Sequence, residues 1–166
     1  MPLKDSLLPE FDHEMGTTRR VLERVPEGEL AWKPHAKSFS LGQLAAHIAN
    51  IPHWVDATFD TTVFDVATIG DDARPKQPTE VAPILAAFDA NVKKARTRVD
   101  EQLDAAFFTP WTLKQNGQEV FTLPKIAVWR SFIMNHLIHH RGQLSVYLRM
   151  RDVPLPSIYG PTADEG

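Results

Sequence analysis

The stretch Ile126–Tyr147, IAVWRSFIMNHLIHHRGQLSVY, decides how the chain reads. Ile126, Trp129, Ile133, Leu137, Leu144 and Tyr147 recur at helical spacing, the mark of an amphipathic helix with one apolar face. His136 and His140 lie inside that stripe. Four residues apart, they stack on one helix face about a turn from each other. An imidazole turned into a core needs a partner, because an unpaired buried polar group costs about 1–3 kcal/mol. A backbone carbonyl or hydroxyl satisfies one ring at a time. A divalent metal satisfies both, and on this stretch alone the two readings stand side by side.

Composition narrows the class. The chain has 166 residues, which suggests a single domain over 1–166 with a core of its own. Apolar residues at 43% and charged residues at 23% are ordinary for a globular protein, and the net charge of -3 leaves no basic footprint for nucleic acid. No stretch approaches the ~20 apolar residues of a membrane span. The acidic start, MPLKDSLLPEFDHE, lacks an apolar signal core, so a cytoplasmic location is expected. With no cysteine, a disulfide, a Cys-ligated zinc and an internal thiol nucleophile are all excluded.

Working outward from the decisive helix, Pro124 sits at its start, a favoured first-turn position. Before it, Trp111–Thr122 carries Asn116-Gly117 between alternating residues and reads as a small β-hairpin. A helix over about 79–103 has a continuous stripe from Val81 to Val99 and no histidine. The preceding connection, Thr61–Pro78, is long enough to be a crossover, so the helices it joins run parallel. A helix capped by Ser40 has Leu44, Ile48, Ile51 and Val55 as its stripe, with His47 at the edge beside Trp54 and a break at Pro52. The first helix, about Lys4–Val25, turns Leu8, Phe11, Met15 and Leu22 inward. After Met150 a proline-rich tail folds back over one end. The expected fold is all-α: a four-helix bundle with a long crossover between helices 2 and 3 and a small β-hairpin insertion before the last helix.

A catalytic-type metal site takes three protein ligands and keeps one position open. Beyond His136 and His140, only His47 lies on the inner side of its helix. His139 flanks the site, His13 and His53 face outward, and His35 is on a loop. No acid is placed on a competing inward position. The zincin pattern fails because Leu137, not Glu, follows His136. A di-iron pattern matches once, at Glu10 and His13, and the last helix has no inward carboxylate to complete it. Asn50, Gln143 and Tyr147 lie a turn or two beyond the three histidines, where they can orient imidazoles. Arg141 is expected to form a surface ion pair.

These pieces together resemble a family. Leu30-Ala-Trp-Lys-Pro34, the run Ser40–His47, His136-x-x-x-His140-Arg-Gly-Gln143, Tyr147-Leu-Arg149 and Pro156–Pro161 follow in the order seen in the DinB-like, or YfiT-like, metal-binding bundle proteins. The resemblance implies a four-helix bundle, often dimeric, with His47, His136 and His140 as a triad for zinc, nickel or a similar ion. It also implies a metalloenzyme that uses a low-molecular-weight thiol such as bacillithiol or mycothiol as an S-transferase cosubstrate. A metal-dependent hydrolase and a non-catalytic metal-binding stress-response protein are the alternatives. The partners expected are a small-molecule substrate and a second copy of the chain, with neither nucleic acid nor membrane.

Overall fold

The computed structural model of the protein describes residues 1–73 and 76–165. It is mostly helical, with one small sheet. The first helix, α1 (Lys4–Leu22), buries Leu8, Phe11, Met15 and Leu22 as expected and stops three residues before Val25. Pro26 cannot continue it.

The chain then loops back on itself before α2 (Leu41–Asn50). Ser40 caps α2: its hydroxyl accepts from the Gln43 N–H, and the Gln43 side chain accepts from the Ser40 N–H, each at 3.0 Å. The loop is closed by Leu41 N–H donating to Trp32 O and Gly42 N–H donating to Leu30 O. A β-carbon at Gly42 would lie 2.8 Å from the Pro78 ring and 3.0 Å from the Leu30 carbonyl oxygen. Gly42→Ala is therefore expected to lower stability by about 1–3 kcal/mol, as overpacking does elsewhere. An unchanged urea midpoint would contradict this.

Pro52 breaks the second helix. A 3-10 turn, Ile51–His53, leads into α3 (Trp54–Asp60). The crossover follows, and α4 (Ala82–Asp100) runs alongside α2 and α3. Asn91 donates to Ala49 O at 2.9 Å, Lys94 pairs with Asp56 and Arg98 with Asp60. Partner numbers rise together along both runs, so the helices are parallel. Part of the Thr61–Pro78 connection, at Arg74 and Pro75, lies outside the described residues.

The sheet corrects the all-α expectation. After α5 (Asp104–Phe107), the strands β2 (Pro110–Gln115) and β3 (Gln118–Pro124) form the hairpin, and its turn has φ of 53° at Asn116 and 78° at Gly117. Positive φ at both positions is what Asn-Gly supplies. A third strand, β1 (Val63–Asp65), comes out of the crossover and pairs parallel with β2, Phe64 opposite Leu113. A two-stranded hairpin is marginal alone. Here β1 covers the free edge of β2, and the Asp65 carboxylate accepts from the N–H groups of Asn116 and Gly117 at 3.1 and 2.7 Å. The crossover is thus tied to the hairpin turn.

The decisive stretch forms one rod in three parts: α6 (Lys125–Val128), a π-helical segment (Trp129–Met134) and α7 (Asn135–Met150). The Asn135 N–H reaches back five residues to Arg130 O. Four helical runs share the main core, through residues such as Phe11, Ile48, Phe88, Trp129 and Leu144. A smaller cluster, Trp111, Leu113 and Val128 with Phe64 and Phe132 packed on it, joins the sheet to the last rod. The tail returns over α1, where Arg20 donates to Ser157 O at 2.8 Å. No described helix is long and apolar enough to cross a membrane.

Candidate metal centre

The π-helical segment ends one residue before Asn135 and directly sets the phase of the histidines that follow. Such a segment carries an extra residue per turn and rotates what comes after it. His136 and His140 thereby face α2, where His47 stands two residues after the buried pair Leu44 and Ala45. One ring nitrogen from each of the three histidines falls in a group no more than 4.8 Å across. Nε2 of His136 is 2.8 Å from Nε2 of His140 and 3.4 Å from Nε2 of His47.

The hydrogen bonds behind these rings decide what the cluster can hold. Gln143 Oε1 accepts from His140 Nδ1 at 2.7 Å. A neutral imidazole has one N–H, so this bond leaves the lone pair on Nε2. His136 is bonded to the Phe132 backbone carbonyl one turn back, with its Nε2 turned to its neighbours. Burial, and then the neighbouring rings, push the pKa of His47 and of His136 down to about 4; His140 is also lowered, chiefly by burial. The neutral form of all three rings is thus favoured, and their Nε2 atoms converge, 2.8 Å apart for His136 and His140 and 3.4 Å apart for His136 and His47. Nitrogens about 2.0–2.1 Å from a single zinc ion would stand about 3.3 Å apart in a tetrahedral arrangement. The donor set fits a divalent ion.

The lowered pKa values also set a sign. The unfolded rings titrate near 6.5 and the folded ones lower. Stability from this source is therefore fully present above pH 6.5 and lost as pH falls towards 4. The urea midpoint of chelator-treated protein is expected to drop across that window. A flat profile there would show that the rings are not held neutral by the fold.

The surroundings are aromatic. Trp54 stands 6.0 Å from the His47 ring and 5.1 Å from the His136 ring, and Phe39 lies 5.8 Å from His47. Beside the cluster a cavity of about 530 Å³ is lined by His47, Asn50, Trp54, Phe64, Trp111 and Phe132, among others. Tyr147 packs edge-on against Trp32 at 5.7 Å. The remaining histidines stay out of the cluster. His139 is exposed beside His140, His53 faces Asp56, His35 accepts from the Lys37 N–H, and His13 is exposed.

Two expectations fail here: the surface ion pair of Arg141 and the absence of an inward acid. Arg141 is not on the surface: it is 1% exposed and pairs at 2.7 Å with Glu14, itself 6% exposed. Glu14 is thus an inward acid, although it is turned to Arg141 and not to the histidines. Arg141 also donates to the Tyr159 hydroxyl at 2.7 Å, and that hydroxyl donates to the Glu14 carboxylate at 3.0 Å. The signal was available. Leu137, Arg141, Leu144 and Leu148 share helical spacing, as do Leu7, Phe11, Glu14 and Thr18, so one charge of each sign occupies a core position.

Comparisons with known proteins agree with this architecture. A model of the DinB family matches residues 1–165. The Bacillus subtilis protein YrdA, described as uncharacterized, is 23% identical over 163 residues, covering 97% of this chain and 90% of its own length. Two crystal structures superpose well. A DinB-like protein from Bacillus cereus has a TM-score of 0.70 at 20% identity, over 93% of this chain and 97% of that one. The DinB-like protein YjoA from Bacillus subtilis has a TM-score of 0.68 at 16% identity, over 96% and 98%. These likenesses bear on the fold.

Proposed function

The chain belongs to the DinB family, and from that premise we propose that it is a four-helix-bundle metal protein. In this reading His47, His136 and His140 hold one divalent ion, zinc or nickel. The observation that carries it is the convergence of three Nε2 atoms, with the His140 lone pair fixed inward by Gln143. Imidazole ligands suit both metals.

A divalent ion with three protein nitrogens keeps a position for a small molecule and lowers the pKa of a water or thiol bound there. The chain's own residues do the rest. Gln143 and the Phe132 carbonyl orient the rings of His140 and His136. Trp54 packs against the rings of His47 and His136, and Phe39 against that of His47. Asn50, beside His47 on the cavity wall, is placed to meet a bound substrate.

The activity proposed is transfer of a low-molecular-weight thiol to an organic electrophile. The thiol proton goes to solvent, the sulfur bonds to carbon and the leaving group departs. Family membership supports this, and a chain without cysteine suits an external thiol. A hydrolase would need a general base at the cluster, and among the described residues no carboxylate joins the three histidines. Assembly as a homodimer belongs to the same proposal and rests on family resemblance.

The test is conjugation of a small thiol to a bimane electrophile by zinc- or nickel-loaded protein. Metal-dependent turnover that is lost in His136→Ala is expected. Metal bound tightly with no turnover across a thiol panel would make the protein a non-catalytic metal binder.

A further inference from the structure

Beside the cluster lies a partly open cavity whose walls are mostly apolar. About 530 Å³ falls within the ~300–1,000 Å³ typical of small-molecule sites. Its walls come from three directions: α2 and α3 give His47, Asn50 and Trp54, the sheet gives Phe64 and Trp111, and the π-helical segment gives Phe132.

The elements that build the outer wall have little to do for the main core. The strand β1 and the hairpin pack their own small cluster, apart from the helical core. They are nevertheless pinned in place by the Asp65 bonds to the hairpin turn and by the Trp111 indole, which donates to Ala57 O at 3.1 Å. The Phe64 and Trp111 rings lie within 13° of parallel. Ile69, 42% exposed, is part of the lining and leaves an apolar side chain towards solvent. The lining is mostly aromatic and aliphatic; its polar residues are His47 and Asn50 on α2, Thr58 on α3 and Lys76 on the crossover. Trp54 touches the cavity and the rings of both His47 and His136.

We propose that this cavity binds the apolar, ring-containing body of a small organic molecule and presents one end of it at His47. The inference rests on the metal-site reading for what happens at that end, and on the cavity alone for binding. Aromatic walls favour planar rings through offset and edge-on contacts. The substrate class is thus an aromatic or alicyclic electrophile.

The probe is N-phenyl-1-naphthylamine, a neutral two-part aromatic, titrated into protein treated with chelator. One saturable site per chain is expected. Ala57→Phe and Val66→Trp fill the cavity from α3 and from the chain beyond β1. Each is expected to weaken the probe about tenfold or more, with far-UV dichroism and metal content unchanged. His139, exposed and outside the lining, should be replaceable by Ala without loss of the probe. Nuclear Overhauser contacts from the probe to the Trp54 and Trp111 indoles, and not to Trp32, locate it without any substitution. No saturable binding, equal binding in both filled variants, or contacts elsewhere would overturn the proposal. Protein that holds metal and rejects the probe would sink the cavity inference alone. Protein that binds the probe but no metal would support this inference and defeat the metal reading.

Discussion

Glu14→Ala is expected to destabilise the folded chain by about 3–5 kcal/mol, the usual loss when one partner of a buried ion pair is removed. The Arg141 guanidinium is almost fully enclosed, and among the described residues Glu14 is the one charge it meets there, at 2.7 Å. Without that carboxylate it keeps the Thr18 hydroxyl at 3.3 Å, the residue 14 carbonyl at 3.2 Å and the Tyr159 hydroxyl at 2.7 Å, none of which carries charge. Tyr159 in turn loses the acceptor for its own proton. Urea denaturation monitored by dichroism reads the effect. Removing both charges together, as Glu14→Leu with Arg141→Met, should restore much of the loss, because the cost lies in the orphaned charge. A Glu14→Ala chain within 1 kcal/mol of the parent would mean that water reaches Arg141 and that the cluster is not buried.

The second large effect concerns the metal. Zinc at about 100 times its Kd should stabilise the parent by about 2.7 kcal/mol, which for a chain of this length is about 5–10 °C in Tm. His136→Ala should abolish the shift. His136 supplies one of the three clustered ring nitrogens, 2.8 Å from Nε2 of His140 and 3.4 Å from Nε2 of His47, so its loss leaves two protein ligands, too few to hold the ion firmly against water. The chelated parent should remain helical, since the apolar core is built by Phe11, Ile48, Phe88 and Leu144 without reference to the site. His53→Ala, whose ring faces Asp56 on the surface, should keep the full shift.

Much of this was legible in the residues. Ser40 announced its capping box, Asn116-Gly117 its positive-φ turn, and Pro52 the break between α2 and α3. The three histidines could be chosen by helical phase because the other four fall on outer faces or loops. What could not be read has physical reasons. The strand β1 is three residues, VFD, too short to show alternation, and it exists because β2 offers it an edge. The π-helical segment, Trp129–Met134, contains no residue type that marks it in the sequence. Arg141 and Glu14 misled because a charge at a core position looks like a gap in the stripe until its partner is known. The cavity is a property of three elements meeting, which one strand of sequence does not display.

Whether His47, His136 and His140 together hold one divalent ion is read from the metal content per chain of protein prepared without nickel resin and reloaded with zinc, measured by plasma mass spectrometry. Close to one ion per chain is expected in the parent and in His139→Ala, and close to none in His47→Ala. His47 is the sole contribution of α2 to the cluster, so this variant asks whether the two helices share the ion. An ion retained by His47→Ala at the parental stoichiometry and affinity would contradict a shared site.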